Sequence, residues 1–87
     1  MDEKQIVKVK QMLMDWNPLG ERASEIKDLD NYQTEAVDIL FCIDKKSSTD
    51  NINKRMVGII SEAFDVHLDL KKTKKYAEII RSIINNE

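Results

Sequence analysis

Pro18 and Gly20 stand two residues apart and form the one strong break in a chain that holds a single other glycine, Gly58, and no other proline. Proline removes a backbone N–H and collides with the preceding helical turn, so no helix passes through residue 18. A fold of many short strands needs a breaker at nearly every turn, and this chain lacks them. A few long helices are expected instead. With 41% hydrophobic and 34% charged residues the composition is that of a globular protein. Eighty-seven residues suffice for one core, so residues 1–87 are expected to form a single all-α domain with a thin stability margin.

Apolar spacing places four helices on either side of that break. Ile6, Val9, Leu13 and Trp16 share one stripe over a first helix of residues 2–16. Pro18 pushes Asn17 out of the right-handed region and ends it. Residues 17–30 carry no sustained pattern and read as a long loop, with room for one helical turn around Ala23–Lys27. A second helix opens with Asp30 as N-cap and Gln33 as the far member of a capping box. Tyr32, Ala36, Ile39, Leu40 and Ile43 form its stripe, and Val37 and Phe41 widen the apolar face to roughly 200°. Glu35, Asp38, Cys42 and Lys45 take the remaining side. So broad a face fits either a central helix packed on two sides or a homodimer surface. The third helix, residues 49–66, turns Ile52, Met56, Ile59, Ile60, Ala63 and Phe64 inward. Gly58 in its interior either permits a close approach or is tolerated. The fourth, beginning after Asp69 or at Thr73 and ending near Asn85, turns Tyr76, Ile79, Ile80, Ile83 and Ile84 inward. The expected architecture is a compact four-helix array with a long loop between helices 1 and 2.

Most chemistry-bearing patterns are missing. Phosphate and dinucleotide loops need clustered glycines. One Cys, Cys42, and one His, His67, cannot build a zinc site or a disulfide within one chain. Cys42 in a helix interior reads as a packing residue, and His67 as a partly buried structural one. The carboxylates Asp15, Asp28, Asp30, Glu35 and Asp38 read as a solvated acidic face in preference to a cation site. Lys71, Lys72, Lys74 and Lys75 spread over the polar half of the fourth helix and read as solubilising. An overall charge of −2 lacks the basic footprint of a nucleic-acid binder. It divides as 11 acidic against 7 basic residues in 1–50, and 5 against 7 in 51–87. No apolar run is long enough for a membrane span, and the start Met1-Asp2-Glu3 is unlike a secretory signal, so a cytoplasmic protein is expected. No cofactor, metal, nucleic acid or membrane partner is expected, and no enzymatic activity.

What remains is the region around the break. Asp15, Trp16 and Asn17 precede the loop, and Tyr32, Glu35 and Asp38 follow it. Trp and Tyr are frequent anchors of binding sites because each offers a large contact area with a polar tip. The same residues serve equally to lock a corner of the fold, Trp16 holding the loop on the core and Tyr32 packing at a helix start. The corner is the reading favoured by the residues alone.

Asp15-Trp16-Asn17-Pro18-Leu19 followed by Tyr32-x-x-Glu35-Ala36-x-Asp38-Ile39 resembles the YugE-like family of small bacterial helical proteins, a domain of unknown function. The likeness is strongest over the first half. The second half matches in the form of a helix ending at Ala63-Phe64 and a shorter helix after it. The family pattern has Trp-Asp-Pro where this chain has Trp16-Asn17-Pro18; Asn keeps the turn chemistry and loses the charge. By resemblance, Trp16, Tyr32, Glu35 and Asp38 are the positions to test. Expected functions are therefore a non-enzymatic protein-interaction module working through Asp15, Trp16, Asn17, Tyr32, Glu35 and Asp38, including an immunity or inhibitor type. The alternatives are a homo-oligomer through Val37 and Phe41, or a small metal-dependent enzyme using Glu35, Asp38 and His67.

Overall fold

Helix α1 (Glu3–Trp16) forms on the predicted stripe, with Val9 and Leu13 fully buried and Met12 joining them. The structure, a computed structural model, describes residues 3–20 and 32–85. The end of α1 is a left-handed cap. Asn17 takes φ 51, and its N–H donates to the Leu13 carbonyl at 2.7 Å, the single bond of an αL motif. Asn tolerates this conformation better than most residues. The Gly20 N–H then donates to the Asn17 carbonyl at 2.9 Å, closing an Asn-Pro-Leu-Gly turn whose residue types suit their positions. Leu19, at the tip, is buried.

Helix α2 (Gln33–Cys42) starts two residues later than a cap at Asp30 requires. Its N-cap is Tyr32, at φ 68 and ψ 24, with no side-chain cap hydrogen bond, and Gln33 is the first helical residue. Asp30 and the helical turn expected around Ala23–Lys27 lie outside the described residues. Helix α3 (Thr49–Phe64) has Ser48 as N-cap, its Oγ accepting from the Asn51 N–H at 3.1 Å. Helix α4 (Leu70–Asn85) begins directly after Asp69, whose Oδ1 accepts from the Lys71 N–H at 2.9 Å. The turn between α2 and α3 is built on Asp44, which accepts from the Lys46 N–H at 2.8 Å and receives the Ser47 N–H at its carbonyl.

The helices close a ring: α1 packs on α2 and α4, and α3 packs on α2 and α4. Each helix has two neighbours, so α2 is no more central than the others. The core they share comprises Val9, Leu13, Ala36, Ile39, Ile52, Met56, Ile60, Ala77 and Ile80, all inaccessible to solvent. Full burial of each large aliphatic side chain stabilises by about 1.5–3 kcal/mol. That outweighs the ~1 kcal/mol that Gly58 costs in α3. A Cβ at Gly58 meets nothing within 4 Å, so the glycine serves no close helix approach.

Several side chains sit where periodicity alone misplaced them. Ile79 is 44% exposed, because the buried stripe of α4 is Thr73, Ala77, Ile80 and Ile84, rotated towards Ala77. Ala63 is exposed. Phe41 is 81% exposed and packs on neither neighbour of α2. Cys42 is an exposed thiol at the end of α2, and His67 is exposed on the connection to α4, so neither is a packing residue. Glu35, expected on the solvent side, is 7% exposed.

One buried polar contact was not legible. Asn53 is 5% exposed and Thr73 is 3% exposed. The Thr73 hydroxyl donates to Asn53 Oδ1 at 2.6 Å, and Asn53 Nδ2 donates to the Leu70 carbonyl at 2.8 Å. Together they clasp α3 to the first turn of α4. Nearby, Lys74 and Asp50 pair at 3.8 Å, a solvent-exposed contact that contributes little.

Candidate functional site

The six residues around the break separate into three places. Tyr32 and Glu35 are buried at a corner that the exposed Asn17 closes from outside, Asp15 and Trp16 lie on another face, and Asp38 is exposed on α2. The Tyr32 ring is 2% exposed and meets Phe64 edge-on, with centroids 6.4 Å apart at 85°. Its hydroxyl donates to Asn17 Oδ1 at 2.7 Å and accepts a long bond from the Leu19 N–H at 3.4 Å. Asn17 Nδ2 also donates to the Gly20 carbonyl at 3.2 Å. Burial raises the Tyr32 hydroxyl above its usual pKa near 10; the Leu19 bond works against that rise, and the Glu35 charge adds to it.

Glu35 lies one turn along α2 from Tyr32, and its Oε1 has no hydrogen-bond partner among the described residues. Burial raises its pKa above 4.5, against the effect of its own backbone N–H, and the neighbouring Asp38 charge adds to the rise. A carboxylate oxygen without a partner is costly to bury, so this position shifts the balance towards the neutral acid. Asp38 itself is exposed on α2. Among the described residues no three His, Cys, Asp or Glu side chains converge into a group that could hold a metal ion.

Asp15 and Trp16 face elsewhere, into a groove between α1 and α4. Trp16 stacks on Tyr76 with ring centroids 4.2 Å apart and planes within 14°. Lys75 Nζ sits over the Tyr76 ring, 5.1 Å from its centroid. Lys8, Gln11, Met12 and Asp15 of α1 and Tyr76 and Ile79 of α4 complete a groove of about 430 Å³ with Trp16 in its wall. The Asp15 carboxylate accepts from Gln11 Nε2 at 2.9 Å. No partner for Trp16 could be read along the chain, because Tyr76 is sixty positions further on. The available signal was the i,i+4 ladder Lys8, Met12, Trp16 running beside the apolar stripe of α1.

The sequence model of DUF1871, a domain of unknown function, matches residues 8–86. The chain belongs to this family. The match runs from the first turns of α1 through all of α4, so both the corner and the groove lie within the DUF1871 domain. Comparison with curated proteins and with solved structures gave no significant match. No helix among the described residues is long and apolar enough to cross a membrane.

Proposed function

We propose that this DUF1871 chain is a non-enzymatic protein-interaction module that engages its partner through the groove between α1 and α4. The observation that carries this reading is the Trp16–Tyr76 stack standing in the groove wall beside Ile79, which is 44% exposed. A large aromatic pair pre-ordered by packing presents contact area at little further entropic cost. Of the expected binding residues, Asp15 and Trp16 belong to this surface. Tyr32 and Glu35 are core residues, and Asn17 serves the corner. His67 and Cys42, the residues best suited to nucleophilic chemistry, stand exposed on separate stretches, which favours binding over catalysis. The exposed Cys42 thiol suits a reducing, cytoplasmic setting. A bacterial source and the YugE-like name rest on the resemblance in the first half of the chain.

Immobilised wild type, Ile79→Asp and Phe41→Asp test the reading against lysate proteins. Retention by wild type and Phe41→Asp, lost in Ile79→Asp, is expected. Identical retention by all three contradicts it.

A second reading has its own observation. Phe41 is 81% exposed and Val37 is half-buried one turn before it on α2, a patch that fits a second copy of the chain. Sedimentation of wild type against Phe41→Asp decides it: a wild-type dimer that dissociates on substitution is required.

A further inference from the structure

We infer that the α1/α4 groove takes an acidic peptide segment anchored by an apolar side chain, an assignment that rests on the interaction-module reading above. The groove, about 430 Å³, falls in the size range of ligand clefts and has ample room for one apolar side chain with the backbone that carries it. Its apolar lining is Met12, Trp16, Tyr76 and Ile79, so a leucine- or phenylalanine-sized group fits against it.

The charge around that lining is positive although the chain carries −2. Lys8 stands on the α1 bank. On α4, Lys75 sits over Tyr76, and Lys72 is exposed one turn ahead of the same ring. Against these lysines the groove sets a single carboxylate, Asp15, which accepts from the Gln11 amide and keeps its charge, so the lysines outnumber it. Charges at the rim of an interface steer and select the partner, while the apolar floor supplies affinity. Acidic residues flanking an apolar anchor complement both features.

The same geometry disfavours nucleic acid. Single-stranded bases bind by stacking on free ring faces. Trp16 and Tyr76 at 4.2 Å have spent their facing surfaces on each other.

Trp16 is the only tryptophan, so its emission reports directly on the groove. The full chain is titrated at low ionic strength with short synthetic peptides sharing a central Leu-Phe pair and flanked by Glu, by Gln or by Lys. A single-stranded oligonucleotide forms a further arm. The expected result is a saturable change in Trp16 emission with the Glu-flanked peptide. Affinity falls roughly tenfold or more in the Lys72→Glu/Lys75→Glu double variant and at raised salt. It also falls in Ile79→Asp. All three positions are exposed, and thermal melting confirms that the variants fold. An equal or stronger response to the Gln- or Lys-flanked peptide overturns the acidic preference and leaves the groove as a protein site. A stronger response to the oligonucleotide overturns the peptide class. No response in any arm overturns the assignment, and the lysate retention experiment then judges the interaction-module reading separately.

Discussion

The Tyr32 hydroxyl donates a 2.7 Å hydrogen bond to Asn17 Oδ1, joining the N-cap of α2 to the residue that ends α1. Both partners are left-handed, at φ 68 and φ 51. For Tyr this conformation costs about 1–2 kcal/mol. The hydrogen bond returns about 1 kcal/mol. Burial of the ring to 2% exposure contributes about 1.5–3 kcal/mol and decides the balance.

Tyr32→Phe keeps the ring and removes both hydrogen bonds of the hydroxyl; the Asn17 side left behind is exposed to water, and the bond lost by the Leu19 N–H is the long one, at 3.4 Å. The expected loss is about 1 kcal/mol, or roughly 4–8 °C in melting temperature. The phenol pKa is raised, so the contribution of Tyr32 is fully present below pH 10 and is lost as pH rises through the raised value. Alkaline melts should therefore converge for wild type and Tyr32→Phe. A constant gap would show that the hydroxyl is not coupled to folding.

At Asn17, glycine and alanine separate conformation from hydrogen bonding. Both substitutions remove the acceptor for Tyr32, but only alanine resists φ 51. Asn17→Ala should be about 1 kcal/mol less stable than Asn17→Gly by denaturant melts, despite the usual helix-terminal ranking. Equal stabilities would mean that the left-handed cap is not the constraint.

Glu35→Gln tests the buried carboxyl. The folded pKa is raised, so the proton is held more tightly in the folded state. Stability associated with protonated Glu35 is fully present below 4.5 and is lost as pH rises through the folded value. The stability of Glu35→Gln relative to wild type should accordingly increase as pH rises above 4.5, then level off. Parallel stability curves across that window would contradict burial of a charged group at this position.

The two glycines should respond in opposite directions to alanine. At Gly58 a Cβ meets nothing within 4 Å inside a helix, so Gly58→Ala should stabilise by about 0.5–1 kcal/mol. Gly20 also has open space but φ +59, so Gly20→Ala should destabilise by about 1 kcal/mol. Melting temperatures of the two variants, moving apart from wild type, check both assignments.

Asn53→Ala removes the clasp between α3 and α4 and leaves the buried Thr73 hydroxyl without its acceptor at Asn53. Loss of a buried amide bonded at both its nitrogen and its oxygen should cost about 1–3 kcal/mol. The Asn53→Ala/Thr73→Val double variant should lose less than the sum of its parts, because the bond between the two side chains is counted in both single variants. Additive losses would show that the two side chains do not act as a pair.

Local chemistry determined the four helices. Apolar residues at helical spacing, Pro18 after Trp16, and the caps Ser48 and Asp69 act within a few residues, and so could be read along the chain. The αL ending at Asn17 was half legible, since Pro18 excludes the right-handed region without choosing what replaces it. Three-dimensional packing decided which flank of each stripe was covered. Ile79 and Phe41 are as apolar as the core residues beside them, yet Ile79 is left 44% exposed at the rim of the α1/α4 groove and Phe41 81% exposed. Glu35 and Asp38 are both carboxylic acids on α2, yet the edge that carries Glu35 is covered and the one that carries Asp38 is not. The Trp16–Tyr76 stack and the Asn53–Thr73 clasp likewise join residues whose neighbourhood arises only when the ring of helices closes. Periodicity fixes the direction of a side chain about its own axis; what lies in that direction depends on where the other helices come to rest.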